Sequence, residues 1–293
     1  MSFKSGYIAL IGRPNVGKST LLNQLVGETI AIVTPKPQTT RNKILGIRNF
    51  PEAQLLFLDT PGLHRPQRDL NEYMVSVAKQ GLDDADLVLF LIEPVFPKRE
   101  ELLVYQAVKE SKKPYIVILN KIDSVSKDSL IPVLKQCEAE FPEALTYFPI
   151  SALRNDGCDR LLKEIIKILP EGPAYFGKEV LTDQTERFLA AEIIREQVIL
   201  STKQEIPYSV AVTIEEFIEG TPILKIGATI HVEKDSQKGI LIGKKGQMLK
   251  KVGEYSRKGM EKAFGQKVFL KLFVRVTKDW SGNPVKLKEL GYG

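Results

Sequence analysis

The first part of the chain alternates short apolar segments with longer segments of mixed polarity. Several apolar segments are almost continuously hydrophobic, which is typical of strands that are buried on both faces of a sheet. They are YIALI (7–11), QLLFL (54–58), LVLFLI (87–92), YIVIL (115–119) and TYFPI (146–150). Amphipathic patterns of helical period lie between them, near 17–27, 70–82, 98–111, 128–140 and 158–169. This alternation predicts the α/β class, with a mostly parallel, doubly wound sheet that carries helices on both faces.

After residue 169 the order of the predicted elements changes. The segment LPEGPAYFG (169–177) contains two prolines and two glycines in nine residues, which ends a helix and predicts a linker. Beyond it the pattern predicts a helix, two strands joined by a turn at 220–221, a short helix, a longer helix and a last strand. The ranges of the longer elements are 183–203, 208–218, 222–234, 247–264 and 267–276. We therefore expect a smaller α+β domain after the linker.

The length of 293 residues fits two domains better than one. We place the first domain at 1–170, the linker at 171–181 and the second domain, with a C-terminal tail, at 182–293. No apolar run approaches the roughly 18 residues that a membrane-spanning helix needs. The two cysteines, Cys137 and Cys158, are expected to be reduced and incidental, which favours a cytoplasmic protein.

The net charge of +6 is unevenly distributed along the chain. Between residues 234 and 278 there are 13 Lys and Arg against 3 Asp and Glu, a local net charge of +10. A concentration of basic residues in one small region is typical of a surface that binds polyanions. The alternative is a solvated face without a ligand, and charge taken alone favours that alternative.

The segment GRPNVGKS (12–19) fits the pattern of a phosphate-binding loop between a strand and a helix. Gly12 and Gly17 permit a tight turn whose N–H groups can point at phosphate oxygens. The start of the following helix adds partial positive charge. We expect Lys18 to reach the terminal phosphates and the Ser19 hydroxyl to hold Mg²⁺.

Two further segments are expected near the γ-phosphate. DTPG (59–62) ends the strand QLLFL, where ligands bind in open α/β sheets, so Asp59 is expected to contact Mg²⁺ through water and the Gly62 N–H to approach the γ-phosphate. TPKPQTTRNK (34–43) lies between the two motifs, and the hydroxyls of Thr39 and Thr40 could complete the Mg²⁺ shell.

NKID (120–123) and SAL (151–153) predict recognition of guanine. Guanine presents two adjacent N–H donors, and the Asp123 carboxylate can accept both, whereas adenine would turn an acceptor toward it. Asn120 is expected to brace the loop, the Lys121 stem to flank the ring and the Ala152 N–H to reach guanine O6.

Together these segments resemble those of a known family. GRPNVGKS, QTTR, DTPG, NKID and SAL look like the five signature segments of the Ras-like translation-factor GTPases, and QTTR after GRPNVGKST is similar to the Era subgroup and its relatives. The resemblance implies hydrolysis of GTP to GDP with Mg²⁺ as cofactor. The catalytic residues that it implies are Lys18, Thr40, Asp59 and Gly62, and the metal ligands are Ser19, Thr40 and Asp59. The nucleotide-binding residues that it implies are Gly12, Arg13, Pro14, Asn15, Val16, Gly17, Lys18, Ser19, Thr20, Asp59, Thr60, Pro61, Gly62, Leu63, Asn120, Lys121, Asp123, Ser124, Ser151 and Ala152.

One position departs from the signalling members of that family. They place a Gln after DTPG to orient the attacking water, whereas this chain has Leu63. A leucine side chain neither donates nor accepts a hydrogen bond, so we expect slow intrinsic hydrolysis that depends on other groups. In related potassium-activated GTPases an Asn of the phosphate loop helps to hold K⁺, and Asn15 occupies that position, so K⁺ is a further expected cofactor. His64 is expected to be an exposed loop residue rather than a general base.

The basic region contains the segment ILIGKKGQML (240–249). In KH domains a GXXG loop joins two helices and clamps a short stretch of nucleic-acid backbone. Gly243 and Gly246 lack a Cβ, so a phosphodiester can approach closely, and N–H groups at the start of the next helix can meet its phosphates. The apolar residues before the loop either lie under the bases or pack in the core, and the sequence leaves both alternatives open.

The element order after residue 181 is that of the type II KH fold. Its pairing with a GTPase domain resembles the Era-type ribosome-assembly GTPases over nearly the whole chain. The resemblance implies binding of small-subunit (16S) rRNA near its 3′ end and a role in assembly of the 30S ribosomal subunit. The residues expected to contact RNA are Ile240, Ile242, Gly243, Lys244, Lys245, Gly246, Lys250, Lys251, Arg257 and Lys258. A monomer, and peripheral association with the inner face of the cell membrane, are further expectations, whereas the tail from residue 279 onward has no assigned role.

Two alternatives use the same residues differently. The basic region could bind anionic lipid, which would make the chain a membrane-surface regulator. Leu63 is also compatible with a module that binds nucleotide without hydrolysing it. Lipid binding through bulk charge should survive replacement of Gly243 and Gly246 by Asp, and a non-hydrolysing module should leave GTP intact even with saturating RNA.

Overall fold

The computed structural model describes residues 2–63, 69–202 and 206–292. They form two compact units. The first contains residues 2–31, 40–63 and 74–183, and the second contains residues 32–39, 69–73, 184–202 and 206–292. Two short segments from the first half of the chain, 32–39 and 69–73, therefore belong with the second unit. His64, for which an exposed loop was predicted, lies outside the described residues.

The first unit is built on a six-stranded sheet. Its strands are β1 Lys4–Gly12, β2 Ile44–Asn49, β3 Ala53–Asp59, β4 Leu87–Ile92, β5 Tyr115–Leu119 and β6 Tyr147–Pro149. Their order across the sheet is β2-β3-β1-β4-β5-β6, and every neighbouring pair is parallel except β2 with β3. The mostly parallel sheet predicted from the sequence is thus confirmed.

The sequence analysis missed strand β2. Its six residues, ILGIRN, are too short and too mixed for a clear alternation, and Gly46 interrupts the apolar pattern. A Cβ built on Gly46 would lie 2.7 Å from side-chain atoms of Leu22 and Val26. Glycine is required at this position because the helix that contains Leu22 and Val26 packs closely on the strand. Such a tertiary contact cannot be read from the local sequence pattern.

Within the described residues, five α-helices accompany the sheet. They are α1 Lys18–Val26, α2 Asp69–Asp83, α3 Arg99–Glu110, α4 Lys127–Glu140 and α5 Cys158–Ile168. Every residue of β3, β4 and β5 is buried, as their continuous hydrophobicity predicts for strands covered on both faces. On one face Phe90 and Tyr105 pack around Phe141, with ring centroids 5.3 and 4.8 Å from its own.

The chain that follows α5, as far as residue 183, belongs to the first unit. The N–H of Ile47 donates to the carbonyl of Leu181 at 2.8 Å, and the amide of Gln54 donates to the carbonyl of Phe176 at 2.8 Å. The proline- and glycine-rich pattern thus marks the end of α5, after which the backbone runs along β2 and β3. The domain limits predicted from the sequence stay a prediction.

The second unit has the order helix, strand, strand, helix, helix, strand. Its main elements are α6 Glu186–Ser201, β7 Ala211–Ile218, β8 Ile223–Val232, α7 Asp235–Ile242, α8 Gln247–Phe264 and β9 Lys267–Val276, followed by a short α9, Pro284–Glu289. In the three-stranded sheet β8 is central, antiparallel to β7 and parallel to β9. The predicted order of elements is confirmed, except that α9 was not predicted.

The C-terminal tail is part of the folded second unit. Trp280 is fully buried, its indole N–H donates to the carbonyl of Ser209 at 3.1 Å, and its ring stacks on Tyr292 with centroids 5.7 Å apart. The sequence left the role of the tail open. In the structure its Trp280 and Tyr292 pack against each other, and Trp280 is buried in the second unit.

None of the helices within the described ranges is long and apolar enough to cross a membrane. Cys137 and Cys158 are both buried free thiols. Burial raises the pKa of Cys137 to about 12 and that of Cys158 to about 11, so both thiols are protonated and unreactive at neutral pH.

Candidate functional sites

The loop between β1 and α1 depends on its two glycines. A Cβ on Gly12 would lie 2.6 Å from the carbonyl oxygen of Leu91, and a Cβ on Gly17 would lie 2.3 Å from the side-chain nitrogen of Asn120. Gly17 also adopts the left-handed conformation, with φ of 101°, where it precedes α1. The loop is thus folded tightly between two neighbouring strands, and the start of α1 opens toward it, which is the arrangement that binds phosphates.

The ammonium group of Lys18 lies inside this loop. Its side chain is buried, and Nζ donates to the carbonyls of Gly12 at 3.2 Å and Arg13 at 3.0 Å. Burial lowers the pKa of Lys18 to about 8, although the nearby Asp59 opposes the shift. Among the residues that the structure describes, the ammonium group bonds carbonyl oxygens, and this buried cation can bind an anion because phosphate oxygens would stabilise its charged form.

Three oxygen-bearing side chains meet beside the loop. The Ser19 hydroxyl donates to Asp59 Oδ2 at 2.6 Å and lies 2.8 Å from the Thr40 hydroxyl, which is 3.3 Å from the same carboxylate oxygen. Asp59 is fully buried, and its other oxygen, Oδ1, has no hydrogen-bond partner within the described part of the chain. Burial raises the pKa of Asp59, while Lys18 and the two hydroxyls oppose the shift. A buried carboxylate with a spare oxygen between two hydroxyls fits Mg²⁺, which prefers oxygen ligands.

The structure separates the two threonines of QTTR. Thr40 joins Ser19 and Asp59, as above, whereas the Thr39 hydroxyl donates to the carbonyl of Lys36 at 2.8 Å and pairs with the Thr34 hydroxyl at 2.6 Å. Thr39 therefore closes a local turn, and the contribution of its hydroxyl to a Mg²⁺ shell, which the sequence suggested, is not seen.

DTPG packs directly against the phosphate loop. A Cβ on Gly62 would lie 2.4 Å from the backbone nitrogen of Pro14, and the Leu63 N–H donates to the carbonyl of Gly12 at 3.2 Å. The Leu63 side chain is buried in the apolar cluster that contains Ile11 and Ala78. In this structure Leu63 thus faces the core, so only its backbone lies beside the loop.

NKID and SAL form one hydrogen-bonded corner. Asn120 is buried, donates to the carbonyl of Val16 at 2.9 Å and accepts from the Ala152 N–H at 3.0 Å. Lys121 reaches back to the carbonyl of Asn15 at 2.7 Å. Asn120 therefore ties the phosphate loop to the SAL segment, while the Ala152 N–H, expected to reach guanine O6, is shared with Asn120 here.

The carboxylate of Asp123 is held by SAL. Its Oδ1 accepts from the Ser151 hydroxyl at 2.5 Å, and Arg154 lies 3.9 Å from Oδ2. This contact fixes the direction of the carboxylate that is predicted to read the base, and Ser151 was included among the nucleotide-binding residues without this role. Ser124, the next residue of that set, donates to the carbonyl of Lys121 at 2.7 Å.

The GKKG loop of the second unit requires both glycines for different reasons. Gly243 has φ of 70°, and a Cβ there would lie 2.7 Å from the Cβ of Met248. Gly246 has φ of 76° with open space around it. Lys245 between them also adopts a left-handed conformation, with φ of 51°. The backbone therefore makes a tight turn that leaves Lys244 and Lys245 exposed to solvent.

A groove of about 570 Å³ runs from this loop between α8 and β9. The residues that line it are Gly246, Leu249, Lys250, Gly253, Glu254, Arg257, Leu270 and Leu272. The lining combines three leucines with two cations, Lys250 and Arg257, and one carboxylate, Glu254. Of the apolar residues before the loop, Leu241 is fully buried in the core, whereas Ile240 is 52% exposed and Ile242 is half-buried. Core packing thus holds for Leu241, and contact of Ile240 and Ile242 with bases stays a prediction.

Two of the cations predicted to contact RNA are paired along α8. Lys258 bonds Glu254 at 2.8 Å and Arg257 bonds Glu261 at 2.9 Å. Lys258 and Lys251 also lie 5.8 and 5.9 Å from the ring centroid of Tyr255, which is 49% exposed. Sequence reasoning missed Tyr255, although its spacing of four and three residues from those lysines places all three on one helix face.

Two residues of α6 hold the segment 32–39 within the second unit. Arg195 is buried, pairs with Glu192 and donates to the carbonyl of Thr39 at 2.6 Å. Its neighbour Glu196 accepts from the N–H of Val33 at 3.1 Å. Both ends of the segment are thereby attached to one helix, a contact over some 160 positions of sequence that no local pattern indicates.

The comparisons with known proteins cover almost all of the chain. A family described as 50S ribosome-binding GTPase matches residues 7–121, and a KH domain family matches residues 205–281. The chain is 52% identical to the GTPase Era of Syntrophus aciditrophicus over 297 aligned residues, which cover 99% of this chain and 95% of that protein.

Two solved structures of Era have the same fold as this chain. One is Era in complex with MgGDPNP and nucleotides 1506–1542 of 16S ribosomal RNA, with 42% identity, a TM-score of 0.97 and 99% of each chain covered. The other is a variant of Era from Aquifex aeolicus bound to GDP and AlF₄⁻, with 42% identity, a TM-score of 0.96 and 99% of this chain and 100% of that chain covered.

Proposed function

The chain belongs to the GTPase Era family, and from this premise we propose that it couples GTP hydrolysis to binding of the 3′ end of 16S rRNA. As a member it binds guanine nucleotide with Mg²⁺ and hydrolyses GTP to GDP and phosphate. The observation that carries the proposal is the presence, in one chain, of the Ser19–Thr40–Asp59 cluster beside a phosphate loop and of a GKKG turn beside an apolar groove. The cellular role that we propose is assistance in assembly of the 30S subunit.

In the nucleotide site each residue has a distinct task. Lys18 would neutralise phosphate oxygens at the centre of the loop, and Asp123, steered by Ser151, would accept the two N–H donors of guanine. Ser19, Thr40 and Asp59 would hold Mg²⁺, which when bound neutralises charge on the β- and γ-phosphates. The spare Oδ1 of Asp59 supports this assignment, since a buried carboxylate oxygen otherwise lacks a partner.

Hydrolysis has to proceed without a side chain at Leu63 that can orient water. We propose that K⁺, bound with help from Asn15, supplies part of the missing stabilisation. Asn15 has φ of 64°, and its carbonyl accepts from Lys121 Nζ at 2.7 Å, so this contact holds the loop backbone at the residue. The expected result is faster turnover in potassium than in sodium buffer of equal ionic strength, and loss of that difference in Asn15→Ala. Equal rates in the two buffers for the unaltered chain would contradict the proposal.

RNA binding is proposed for the GKKG loop and its groove. The left-handed glycines make a tight turn that leaves Lys244 and Lys245 exposed, where they add charge, and Leu249, Leu270 and Leu272 offer an apolar surface for bases. The test uses the full chain and a fluorescent RNA with the sequence of the 16S 3′ end. In Lys244→Asp/Lys245→Asp we expect at least a roughly hundredfold loss of affinity, since charge reverses where the phosphates sit.

The matched control reverses two exposed lysines of the first unit, Lys135→Asp and Lys163→Asp, which changes the net charge by the same amount. If bulk charge governed binding, both double variants would lose affinity equally and the clamp would be wrong.

Peripheral contact with the inner membrane face is a further proposal. Vesicles of anionic lipid test it, because that contact should respond to both double variants. We also propose a cytoplasmic monomer, for which a light-scattering mass near 32.9 kDa is expected.

The coupling between nucleotide and RNA is proposed to run through the segment 32–39. Its last residue, Thr39, is held by Arg195 of the KH unit, and the next residue along the chain, Thr40, contributes its hydroxyl to the proposed Mg²⁺ site. A bound Mg²⁺ would hold the Thr40 hydroxyl, and Arg195 of α6 holds the Thr39 carbonyl, so the two contacts act on adjacent residues. Nucleotide state and α6 would bias the same short segment.

A further inference from the structure

The sheet of the second unit has two unlike faces. The even-numbered residues of β9 point into the core formed with α6 and α8, where Val268, Leu270 and Leu272 pack. The odd-numbered residues point to the opposite face, and all five of them are exposed. They are Lys267, Phe269, Lys271, Phe273 and Arg275. This strand therefore turns a row of alternating cations and phenylalanines toward solvent.

The two phenylalanines of that row are exposed to an unusual degree. Phe269 is 59% exposed and Phe273 is 51% exposed, and they are four positions apart on the strand, which is roughly 13 Å. Lys271 lies between them, with its Nζ 5.0 Å from the Phe273 ring centroid. A single exposed apolar residue needs no explanation, but two on one face with a cation between them form a regular arrangement. We call Phe269, Lys271, Phe273 and the neighbouring Lys225 the β9 outer stripe; Lys225 is the register partner of Phe269 on β8.

Charge on this face changes sign across the sheet. Strand β9 contains three basic residues and no acidic one, whereas Glu215 and Glu216 lie on β7, two strands away. Strand β9 is one of the two edge strands of this sheet. The stripe therefore favours a polyanion that lies along β9. The cations would attract its negative charge, and the phenylalanine rings offer faces on which its flat groups can stack.

The stripe is continuous with the proposed RNA groove. Leu270 and Leu272, which line that groove, alternate along the same strand with Phe269, Lys271 and Phe273. Because β9 is the edge strand, the two faces are separated only by the thickness of one strand. An RNA strand that leaves the groove over this edge meets the stripe directly.

We propose that the β9 outer stripe is a second contact surface for single-stranded RNA, a deepening that rests on the proposed RNA-binding function. Unpaired bases would stack on Phe269 and Phe273, while Lys271 and Lys225 bind the adjoining phosphates. Base stacking on sheet aromatics is a general means of holding single strands, and it tolerates different sequences because every base has a π-face. The absence of acidic residues along β9 favours RNA over a protein partner, which would more often be met by mixed charges.

The experiment compares two RNAs on the full chain. One has about four nucleotides, the number that a KH loop clamps, and the other has about twelve and so extends past the groove. In Phe269→Ala/Phe273→Ala we expect affinity for the short RNA to change by less than about twofold. Affinity for the long RNA should fall roughly tenfold or more, since each stacked base contributes substantially to binding. The matched control is Phe96→Ala, which removes a 58% exposed phenylalanine of the first unit and should leave both affinities unchanged.

A second variant separates stacking from apolar contact. Phe269→Leu/Phe273→Leu keeps apolar side chains but removes the ring faces, and we expect it to lose long-RNA affinity as the alanine variant does. GTP turnover without RNA should stay unchanged in both variants, which shows that the first unit is folded, and unchanged affinity for the short RNA shows that the second unit is folded.

Equal affinity of the alanine variant and the unaltered chain for the long RNA would overturn the inference. The inference would also be overturned if the alanine variant lost binding to anionic vesicles while its affinity for the long RNA stayed intact, because the stripe would then bind lipid. Failure of the unaltered chain to bind either RNA would instead contradict the proposed function itself.

Discussion

At the scale of single residues, burial decides what the nucleotide site can do. Lys18 and Asp59 are both buried. Burial lowers the pKa of Lys18 and raises the pKa of Asp59, which in each case favours the neutral form. The motif GRPNVGKS predicts these residues because its letters are tied to the loop's chemistry. It does not predict that Asn120 bonds Val16 or that Ser151 steers Asp123, since those contacts depend on distant strands that meet only in the fold.

The lowered pKa of Lys18 predicts a pH dependence of nucleotide affinity. The protonated amine is the form that binds phosphate, and its pKa is about 8 in the nucleotide-free protein, whereas bound phosphates raise it again. Affinity for GDP should therefore be nearly full at pH 7 and below and fall as the pH rises through about 8, by roughly tenfold between pH 7 and pH 9. Calorimetry at several pH values measures it.

The control for this prediction is Lys18→Gln, which has no titrating amine. It should bind GDP more weakly at neutral pH and show a much flatter profile over the same range. A profile as steep as that of the unaltered chain would mean that another group titrates.

At the scale of elements, the sequence predicts best where local signals agree. Helix α8 and strand β9 occupy the ranges predicted for them, because glycines flank the helix and the strand alternates cleanly. Strand β2 was missed because Gly46 interrupts its apolar pattern, and a glycine is needed there because α1 packs closely on the strand. Helix α9 was missed because its six residues carry too little periodicity.

The two glycines of GKKG predict two different substitution effects. In Gly243→Ala the new Cβ would meet Met248 in addition to the left-handed strain, so the unfolding free energy of the second unit should fall by more than the roughly 1–2 kcal/mol that strain alone costs. In Gly246→Ala only that strain applies, but the methyl group lies where a phosphodiester is proposed to approach. We expect a loss of RNA affinity beyond about tenfold there.

Gly265→Ala is the matched control for the loop. Gly265 has φ of 67° with open space around it and ends α8 away from the GKKG turn. Urea unfolding should show a loss of stability similar to that of Gly246→Ala, while RNA affinity stays unchanged. If the two alanine variants bound RNA equally well, close backbone approach at Gly246 would not be needed.

At the scale of the whole molecule, the segment 32–39 links what the sequence shows as separate motifs. In the sequence this segment overlaps TPKPQTTRNK (34–43), which lies between the phosphate loop and DTPG, and the structure places 32–39 with the KH unit through contacts to Arg195 and Glu196. No pattern in the sequence connects Thr39 with Arg195, because the contact joins residues 156 positions apart.

This link predicts that Arg195 controls coupling. Arg195→Lys keeps the charge that Glu192 requires, but a lysine cannot reach both Glu192 and the Thr39 carbonyl with a planar fork. The ratio of RNA affinities in the GDP state and in the GTP-analogue state should therefore shrink by about threefold or more toward unity. Glu196→Gln, which can still accept from Val33, should keep the ratio of the unaltered chain. An unchanged ratio in Arg195→Lys would remove Arg195 from the coupling.

The central claim is that a guanine-nucleotide site and an RNA clamp act on each other within this chain. Single-turnover GTP hydrolysis, measured in potassium buffer with and without saturating RNA from the 16S 3′ end, tests it most directly. We expect RNA to raise the rate by about fivefold or more in the unaltered chain and to leave it unchanged in Lys244→Asp/Lys245→Asp. The same rate with and without RNA in the unaltered chain, under conditions where the RNA is bound, would contradict the claim.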